Sequence, residues 1–447
     1  MSGPRAPMLS GWGRVAVPGR ELRAEDLAAV AAGRPLTRGL ARSYGDASLP
    51  APGTVEVAGS RLADRMLTFD PAIPALRAEA GLSLRALLAW ALPRRLWVPA
   101  VPGTAFVTLG GMVAADVHGK GHQHDGSFGR HVRALAMLTA SGELVECNRE
   151  SHRELFLATI GGMGLTGHIL EVELALQPIP SPWMIEERCR YEDLDGLIAA
   201  LRRSATEWPY TVAWLDTLAT GARLGRGVVY RARWAEAEEA PAALPAPRRR
   251  HRFPFDAPAF FLSRPAVATF NAALFAISPR RPKRRVVAPE TCFHPLDRIE
   301  DWNRMYGSRG FTQHQCVLPE EERPGATRRF LEALTRFGGT SFLSVLKDFG
   351  EQGEGMISFP RRGITVTVDL PLHPGTADVV ARLNEIVVAE GGRVYLAKDL
   401  LTSAADFAQM EPRLAEFLAV RRKWDPDGRI ESALSHRLFG KGEIVGT

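Results

Sequence analysis

Short runs of alternating apolar and polar residues occupy the first part of the chain, and this period of two predicts strands joined by tight turns. Residues 36–49 are predicted to form a strand that leads into a glycine turn. Helices are predicted at 82–92, where Ser83 can cap the first turn and Pro93 follows, and at 153–159. The further predicted strands are 55–58, 66–69, 135–139, 144–147 and 168–176.

A different pattern covers residues 183–392, where helical and strand periods mix without regular alternation. Such a mixture is typical of an α+β fold with an antiparallel sheet. Three prolines at 178–182 indicate a domain boundary before this region, and the tail 393–447 is predicted to carry one helix at 410–421. The predicted strands of the region are 211–215, 227–233, 313–317, 341–346 and 364–369, and its predicted helices are 194–203, 326–337 and 377–390.

Composition narrows the class of protein. The 447 residues are 45% hydrophobic and 24% charged, with a net charge of +6. This globular composition excludes a disordered chain, a collagen-like fibre and a coiled coil, and at about 150 residues per domain it allows roughly three domains. The 4 Cys are widely spaced, which excludes a disulfide scaffold and a zinc ribbon and indicates a reducing compartment. Because no signal-peptide pattern and no apolar run of membrane-spanning length is found, we expect a cytoplasmic protein or one bound peripherally to the inner membrane.

Three segments, 39–48, 102–129 and 161–167, are rich in glycine and small polar residues. The third contains G-x-G-x-x-G at 162–167, a dinucleotide-binding pattern that requires a strand before it and a helix after it. Here the predicted order is reversed, so no helix N-terminus is available for a pyrophosphate. Separated glycine loops can still bring several backbone N–H groups to one elongated ligand, although glycine content alone favours ordinary turns.

The glycine segments resemble a flavoprotein family. The sequence GLARSYGD at 39–46 resembles the first FAD loop of the vanillyl-alcohol-oxidase superfamily, and PGT, TLGG, HGK and SFG within 102–129 resemble the second. Within this PCMH-type FAD-binding superfamily the chain is similar to the decaprenylphosphoryl-β-D-ribose 2-oxidase family over nearly its whole length. The other matching segments are 97–99, 161–167, 213–214, 302–304, 341–343 and 421–423.

The resemblance implies a two-part FAD-binding domain, 1–180 and 393–447, with a substrate-binding cap at 181–392 between the parts. It implies FAD-dependent oxidation of the 2-hydroxyl of a polyprenyl-phospho-β-D-ribose to the 2-keto sugar. This is the first half of epimerisation to the arabinose donor for cell-envelope glycans. An NAD(P)-dependent keto-reductase is then the expected partner that completes the epimerisation.

The same resemblance implies that FAD is lined by many backbone groups and few bulky side chains. The implied cofactor residues are Gly39, Ala41, Arg42, Ser43, Tyr44, Gly45, Asp46, Pro102, Gly103, Thr104, Thr108, Gly110, Gly111, Ala114, Val117, His118, Gly119, Gly164, Gly167, Ile169 and Tyr395.

Oxidation of an alcohol by a flavin needs a base with a pKa near the working pH. Lys398 matches the family's lysine at the reacting sugar and is the candidate base, because desolvation or a nearby cation lowers a lysine pKa. From the residues alone, a surface ion pair with Asp399 is the simpler explanation of this lysine. Tyr395 and His118 are the other candidate catalytic residues. The implied substrate residues are Tyr44, Lys120, Trp214, Gln313, Gln315, Lys347, Thr365, Thr367 and Lys398.

Three positions depart from the family pattern. Thr367 stands where the best-known members carry Cys, Thr365 stands where they carry Asn, and Met163 replaces the Asn of a Gly-Gly-Asn-Gly turn. Hydride transfer needs no thiol, so the change at Thr367 does not exclude the activity, but covalent inhibitors that attack this thiol should fail. Thr365 and Thr367 are implied substrate residues and Met163 lies beside the implied flavin site, so the changes alter positions that would contact the sugar and the flavin.

The run HGKGHQHD at 118–125 contains three histidines and Asp125, residue types that bind metals. Glycine interrupts the run, so no helix face would align the side chains. We expect no metal at this position.

Basic residues cluster on both sides of an apolar segment at 253–277: four arginines lie within 248–252 and five Lys and Arg within 280–285. One interpretation is a solvated, mobile loop. Nucleic-acid binding is a second, but no recognisable module supports it, and we expect no nucleic-acid partner. We favour a third, peripheral contact with an anionic membrane, in which apolar side chains enter the interface and arginines meet lipid phosphates.

Two other functions remain open from the sequence. A soluble sugar-alcohol or aldonolactone oxidase on the same fold would not need the basic and apolar segment. A non-catalytic protein that binds membranes or nucleic acid would lack the flavin absorbance of either enzyme.

We predict that FAD is held without a covalent bond. Many members of the superfamily attach FAD through a histidine in the first loop, but Arg42 occupies that position here and a guanidinium cannot form the bond. Acid denaturation followed by centrifugation should therefore leave the yellow colour in the supernatant. Colour that stays with the pelleted protein would contradict the prediction.

Overall fold

The computed structural model describes residues 7–205 and 207–440, in which strands form three main sheets with helices packed on them. The α-helices are Leu27–Ala31, Leu84–Ala91, Leu109–Ala114, His122–Asp125, Arg153–Thr159, Leu194–Ser204, Arg264–Ile277, Pro289–Phe293, Ala326–Arg336, Thr376–Ala389, Ala404–Met410, Leu414–Trp424 and Ala433–Phe439. Within the described ranges, none of the helices is long and apolar enough to cross a membrane.

The N-terminal part contains two of the sheets, one parallel and one antiparallel. The antiparallel sheet shares a large apolar core with the helix Leu84–Ala91, and Ala58 of the parallel sheet packs in a smaller cluster with Leu138 of the antiparallel sheet. The parallel sheet has the order Arg20–Arg23, Glu56–Gly59, Thr37–Arg38. The antiparallel sheet has the order Leu144–Asn148, Val132–Leu138, His168–Ala175, Ala75–Glu79, Met66–Asp70. Shorter strands pair as Met8–Ser10 with Ala16–Pro18, Leu96–Trp97 with Gln177–Pro178, and His251–Arg252 with Ile299–Glu300.

An antiparallel sheet of eight strands dominates the middle of the chain. Its order is Lys283–Val287, Met184–Tyr191, Gly227–Trp234, Tyr210–Leu215, Ser344–Phe349, Gly363–Pro371, Phe311–Leu318, Arg393–Val394. Side chains alternate between the two faces of a strand, so each strand contributes to both sides of the sheet. One face shares an apolar core with the helices Leu194–Ser204, Ala326–Arg336 and Thr376–Ala389, which leaves the other face available for a site.

The end of the chain packs against its beginning. Phe407, Phe417 and Leu434 share an apolar core with Met163 and Leu165 from the N-terminal glycine segment. The last helices described therefore pack with the N-terminal part of the molecule, although most of the eight-stranded sheet lies between the two in the sequence.

Several local predictions are confirmed. The helix Arg153–Thr159 has the predicted bounds, and Ser83 caps the helix Leu84–Ala91 by accepting a hydrogen bond of 3.2 Å from the amide of Ala86. The predicted strands 135–139 and 144–147 are found as Val132–Leu138 and Leu144–Asn148, which pair antiparallel. The α+β class with an antiparallel sheet is also confirmed.

One helix prediction is wrong, and one of the open interpretations of the basic and apolar segment does not hold. The tail helix expected at 410–421 is replaced by Ala404–Met410 and Leu414–Trp424, because Pro412 cannot donate the backbone hydrogen bond that a continuous helix requires. The basic and apolar segment is not simply a mobile loop, since it contains the helix Arg264–Ile277 and the edge strand Lys283–Val287. The two arginines of that strand pair with glutamates of the neighbouring strand: Arg285 with Glu186 and Arg284 with Glu187, both at 2.6 Å.

Candidate functional site

A cavity of about 870 Å³ lies between the glycine segments and one face of the eight-stranded sheet. This volume suits a sizeable organic ligand. The cavity wall contains most of the site residues named from the sequence. These are Gly39, Ala41, Arg42, Ser43, Tyr44, Pro102, Gly103, Thr104, Thr108, Gly110, Gly111, Ala114, Val117, His118, Gly119, Lys120, Gly164, Gly167, Ile169, Trp214, Gln313, Gln315, Lys347, Thr367, Tyr395 and Lys398.

Small residues form the wall on the N-terminal side. A Cβ on Gly39 would collide with the side chain of Thr108, and a Cβ on Gly119 would lie 2.7 Å from the carbonyl oxygen of Val101. At Gly103 and Gly164, by contrast, nothing lies within 4 Å of the Cβ position, so the backbone there is open to a ligand. Glycine thus allows the segments to approach each other and leaves room for the ligand between them.

The first glycine loop exposes peptide groups to the cavity. Ala41 has a φ of 51°, a left-handed conformation that is uncommon for a residue with a Cβ. Within the described residues, the peptide N–H groups of 40–43 have no hydrogen-bond partner. Successive free N–H groups around a left-handed residue form an anion-binding concavity. The loop and the open glycines therefore fit FAD, an elongated dinucleotide with a diphosphate.

Arg42 lies at the position where the resemblance implies a histidine in many members of the superfamily. Its guanidinium stands 4.4 Å from the ring centroid of Trp12, a cation–π contact, and it donates a hydrogen bond of 2.9 Å to the carbonyl of Leu40. Burial lowers the pKa of Arg42, and the nearby carboxylates Asp297 and Asp301 oppose the change.

The sheet forms the opposite wall, and strand register decides which side chains face the cavity. Gln315 is paired with Thr367, Thr367 with Val345, and Val345 with Trp214, so these four side chains form a row across four strands. The sheet wall is therefore a polar and aromatic surface whose geometry is fixed by backbone pairing.

The neighbouring rows of the sheet wall carry its charged groups. Gln313 is paired with Asp369 in one row, and Lys347 with Thr365 in the other.

Lys398 projects between the two walls. Its Nζ lies 3.7 Å from the centroid of the Tyr44 ring, a distance typical of a cation–π contact. Burial lowers the pKa of Lys398 to about 7, nearby Lys347 adds to the lowering, and the carboxylate of Asp369 opposes it. The amine is therefore partly neutral near pH 7, which the simpler explanation of a surface ion pair with Asp399 does not provide.

Two more lysines contribute to the same cavity. Burial lowers the pKa of Lys347 to about 7, with a further contribution from the charge of Lys120. Lys120 donates a hydrogen bond to the carbonyl of Cys292. Three amines in one cavity make it attractive to an anionic group of a ligand.

His118 and Tyr395 have side chains that are already engaged with the protein. Burial lowers the pKa of His118 well below its usual value, so its ring is neutral and its Nε2 accepts a hydrogen bond of 2.9 Å from the amide of Gln315. The hydroxyl of Tyr395 donates to the carbonyl of Ala115 at 2.9 Å, and burial raises its pKa. Both residues line the cavity, but their polar atoms hold neighbouring groups in place.

Three residues named from the sequence do not line the cavity. A Cβ on Gly45 would collide with the carbonyl of Asp399, so this glycine allows two segments to touch. Asp46 is buried and forms an ion pair with Arg437. Thr365 lies on the same face of the sheet as Thr367 and accepts a hydrogen bond of 3.2 Å from Gln315, so it supports a wall residue from the side.

A buried acidic centre, Asp369, was not predicted from the sequence. Asp369 accepts hydrogen bonds from the Gln313 amide and, at 2.5 Å, from the Tyr306 hydroxyl, and burial raises the pKa of Asp369 to about 6. The alternation of 363–371 offers a signal for this residue, because Thr365, Thr367 and Asp369 occupy one face of an otherwise apolar strand. Tyr306 is the last residue of the 3₁₀ helix Trp302–Tyr306 and has no comparable local signal.

The cavity wall also contains residues that were not named as site residues from the sequence. Aromatic examples are Trp12, Phe106 and Trp302, and basic examples are Arg248, Arg250 and Arg285. The expected absence of a metal concerned the run at 118–125. Across 7–205 and 207–440, no group of three His, Cys, Asp or Glu is arranged to hold a metal ion.

Comparisons with known proteins support FAD binding by this chain. Residues 16–148 match a family described as FAD binding domain. Decaprenylphosphoryl-β-D-ribose oxidase of Mycolicibacterium smegmatis is 36% identical, over 96% of this chain and 97% of the relative. An uncharacterised protein of Streptomyces coelicolor is 32% identical over 80% of this chain and 100% of the relative. L-gulonolactone oxidase of Bos taurus is 32% identical over 26% of each chain, so that likeness is confined to about a quarter of the molecule.

We predict that a thiol-reactive compound entering the cavity will find no thiol on its wall. Cys147, Cys292 and Cys316 are buried, and Cys189 does not line the cavity, whereas Thr367 does. Replacement Thr367→Cys should therefore add one reactive thiol, which intact-mass spectrometry after maleimide treatment would detect.

The matched control is Val368→Cys on the same strand, which faces the core under the helices and should stay unmodified. Equal labelling of both variants would contradict the register described for this strand.

Proposed function

Because the chain belongs to the decaprenylphosphoryl-β-D-ribose oxidase family, we propose that it oxidises the 2-hydroxyl of a polyprenyl-phospho-β-D-ribose to the 2-keto sugar. The chain is an FAD-dependent oxidoreductase. The observation that carries the substrate proposal is the position of Lys398, partly neutral near pH 7 and set between the glycine wall and a polar sheet wall.

The reaction removes a hydride from carbon 2 and a proton from its hydroxyl. Bound FAD supplies the two-electron acceptor for the hydride. Lys398 in its neutral form takes the hydroxyl proton at Nζ, which a lysine can do only when its pKa lies near the working pH. Asp369 then stabilises the protonated amine electrostatically, since the carboxylate favours the charged form of Lys398.

The remaining wall residues orient the sugar and its phosphate. Gln313 and Gln315 both donate and accept hydrogen bonds, which suits sugar hydroxyls. Lys347 and Lys120 supply positive charge for the phosphate. Thr367 offers a hydroxyl where members of the family have a thiol, so it changes one contact with the substrate and leaves the base in place.

We also propose the division into an FAD-binding domain at 1–180 and 393–447 and a cap at 181–392. The shared core of Met163 and Leu165 with Phe417 and Leu434 supports the joining of the two outer parts. A 2-keto sugar must be reduced again to give the epimer, so we propose an NAD(P)-dependent keto-reductase as partner.

A surface beside the cavity supports the proposed membrane contact. We call the following residues the aromatic–basic patch: Phe255, Phe260, Phe261, Phe270, Ile277, Arg249, Arg264, Arg280 and Arg281. All of them are exposed, with Phe260 at 63% and Ile277 at 77%. Leu274, on the same helix as Phe270, lines the cavity, as does Arg248 beside Arg249. A prenyl chain bound in the cavity would therefore leave it next to apolar side chains and arginines, the combination that binds anionic membranes.

The substrate proposal predicts that polyprenyl-phospho-ribose bleaches the flavin absorbance anaerobically, whereas free pentitols and aldonolactones do not. Because the base must be neutral, the bleaching rate should rise with pH through about 7 and then level off. Lys398→Ala should keep FAD and slow bleaching by about 10²–10⁴-fold, the usual effect of removing a general base.

The control for that variant is Lys423→Ala, a surface lysine paired with Glu154, which should bleach at the rate of the unmodified protein. Bleaching by the free sugars alone would instead support a sugar-alcohol or aldonolactone oxidase. Full activity of Lys398→Ala would remove this lysine as the base.

The membrane proposal predicts that Phe260→Ser combined with Phe261→Ser weakens cosedimentation with vesicles of phosphatidylglycerol and phosphatidylcholine. A matched control is Ile73→Ser combined with Leu144→Ser, two residues that are exposed outside the patch. The control should bind vesicles as the unmodified protein does. If the patch variant also binds unchanged, the patch is not the membrane contact.

A further inference from the structure

A buried ion cluster lies behind the cavity, outside the wall that a ligand can touch. Arg437, on the C-terminal helix Ala433–Phe439, donates from Nε and Nη2 to the two carboxylate oxygens of Asp46, both at 2.8 Å. The same Nη2 lies 2.9 Å from Oδ2 of Asp399. Asp46 and Asp399 are both buried, so one guanidinium neutralises two carboxylates that come from distant segments.

The two carboxylates belong to the segments that carry Tyr44 and Lys398. Asp46 lies two residues after Tyr44, and Asp399 directly follows Lys398. The segments also touch directly, because the amide of Tyr44 donates to the carbonyl of Ala397 at 2.9 Å. The contact between the Lys398 amine and the Tyr44 ring thus lies between two backbone segments that Arg437 joins from behind.

Hydrogen bonds to Thr402 fix the orientation of the Asp399 carboxylate. Its Oδ1 accepts from the amide of Thr402 at 3.0 Å and from the Thr402 hydroxyl at 2.7 Å, which leaves Oδ2 towards Arg437. Lys398 lines the cavity on the opposite side of this segment. A movement of Asp399 would therefore be passed directly to the amine.

We propose that Arg437 is a positioning residue that holds the Lys398 amine against the Tyr44 ring by clamping Asp46 and Asp399. Its consequence for catalysis rests on the proposed function, but its effect on the lysine itself does not. Without the guanidinium, two buried carboxylates would face each other unpaired, a costly arrangement that drives their segments apart.

The test measures the Lys398 amine without any substrate. Competitive acetylation of the FAD-bound protein across a pH series, followed by peptide mass spectrometry, reports the midpoint at which Lys398 becomes reactive. The titratable groups that affect this amine are Asp369, Lys347, His118 and Tyr44. The variant Arg437→Met keeps all four of these groups. It loses a nearby cation, leaves two carboxylates unpaired and lets water enter, and each of these changes favours the charged form of the Lys398 amine.

Arg437→Met should therefore raise the acetylation midpoint of Lys398 by about one pH unit or more, and Asp46→Asn, which removes one carboxylate charge, should raise it by less. Arg437→Lys, with a single point charge, should fall between the unmodified protein and Arg437→Met. With polyprenyl-phospho-ribose, Arg437→Met should also bleach about 10–100-fold more slowly, since small misplacements of a catalytic group have effects of this size.

Arg421→Met is the control for a purely structural effect. Arg421 is also a buried arginine of the C-terminal part, but it donates to the carbonyl of Ile430 and contacts neither carboxylate. An unchanged Lys398 midpoint in Arg437→Met and Asp46→Asn, or an equal shift in Arg421→Met, would overturn the proposal. A different outcome is that the midpoint shifts as expected while polyprenyl-phospho-ribose fails to bleach the flavin of the unmodified protein and of every variant. In that case the proposed substrate is wrong and the positioning role of Arg437 stands.

Discussion

The cavity depends most on the register between two neighbouring strands, Phe311–Leu318 and Gly363–Pro371. Their pairing sets Gln315 beside Thr367 and Gln313 beside Asp369 on one face, and Cys316 beside Val366 on the other. Because side chains alternate along a strand, a slip by one residue would turn the polar set into the helix-packed core and bring the apolar set into the cavity. The apolar core on one face therefore protects the chemistry of the opposite face.

The two walls of the cavity offer a ligand different kinds of groups. The N-terminal wall offers peptide groups and open glycine positions, which suits a long cofactor that must be approached along its length. The sheet wall offers fixed side chains, which suits a substrate whose hydroxyls must be distinguished. Lys398 lies where these surfaces meet, and its lowered pKa results from being enclosed by both.

Local features could be predicted from the sequence, and features that depend on distant contacts could not. Ser83 and the helix Arg153–Thr159 are fixed by residues within one or two turns, so their patterns were sufficient. Pro412 is a local signal that the tail cannot form one continuous helix there. The helical spacing of the apolar residues around it nevertheless favoured a single helix, and the structure has two.

Asp369 and Tyr306 form their hydrogen bond across 63 residues of sequence, so this contact could not be recognised from the neighbours of either residue in the chain. Arg437 lies 391 residues from Asp46, so nothing near it in the sequence indicates its partner. The resemblance placed Lys398 at the sugar, but its lowered pKa became visible only with Lys347 and Asp369 around it.

The separation of 391 residues between Asp46 and Arg437 has a consequence for how the protein is made. During synthesis the N-terminal segments leave the ribosome first and can begin to fold, at about 5–20 residues per second. Their glycine loop nevertheless lacks the arginine that neutralises Asp46 until the last helix has emerged. A product of translation that stalled before the helix Ala433–Phe439 would therefore lack the ion pairs that join the segments of Tyr44 and Lys398.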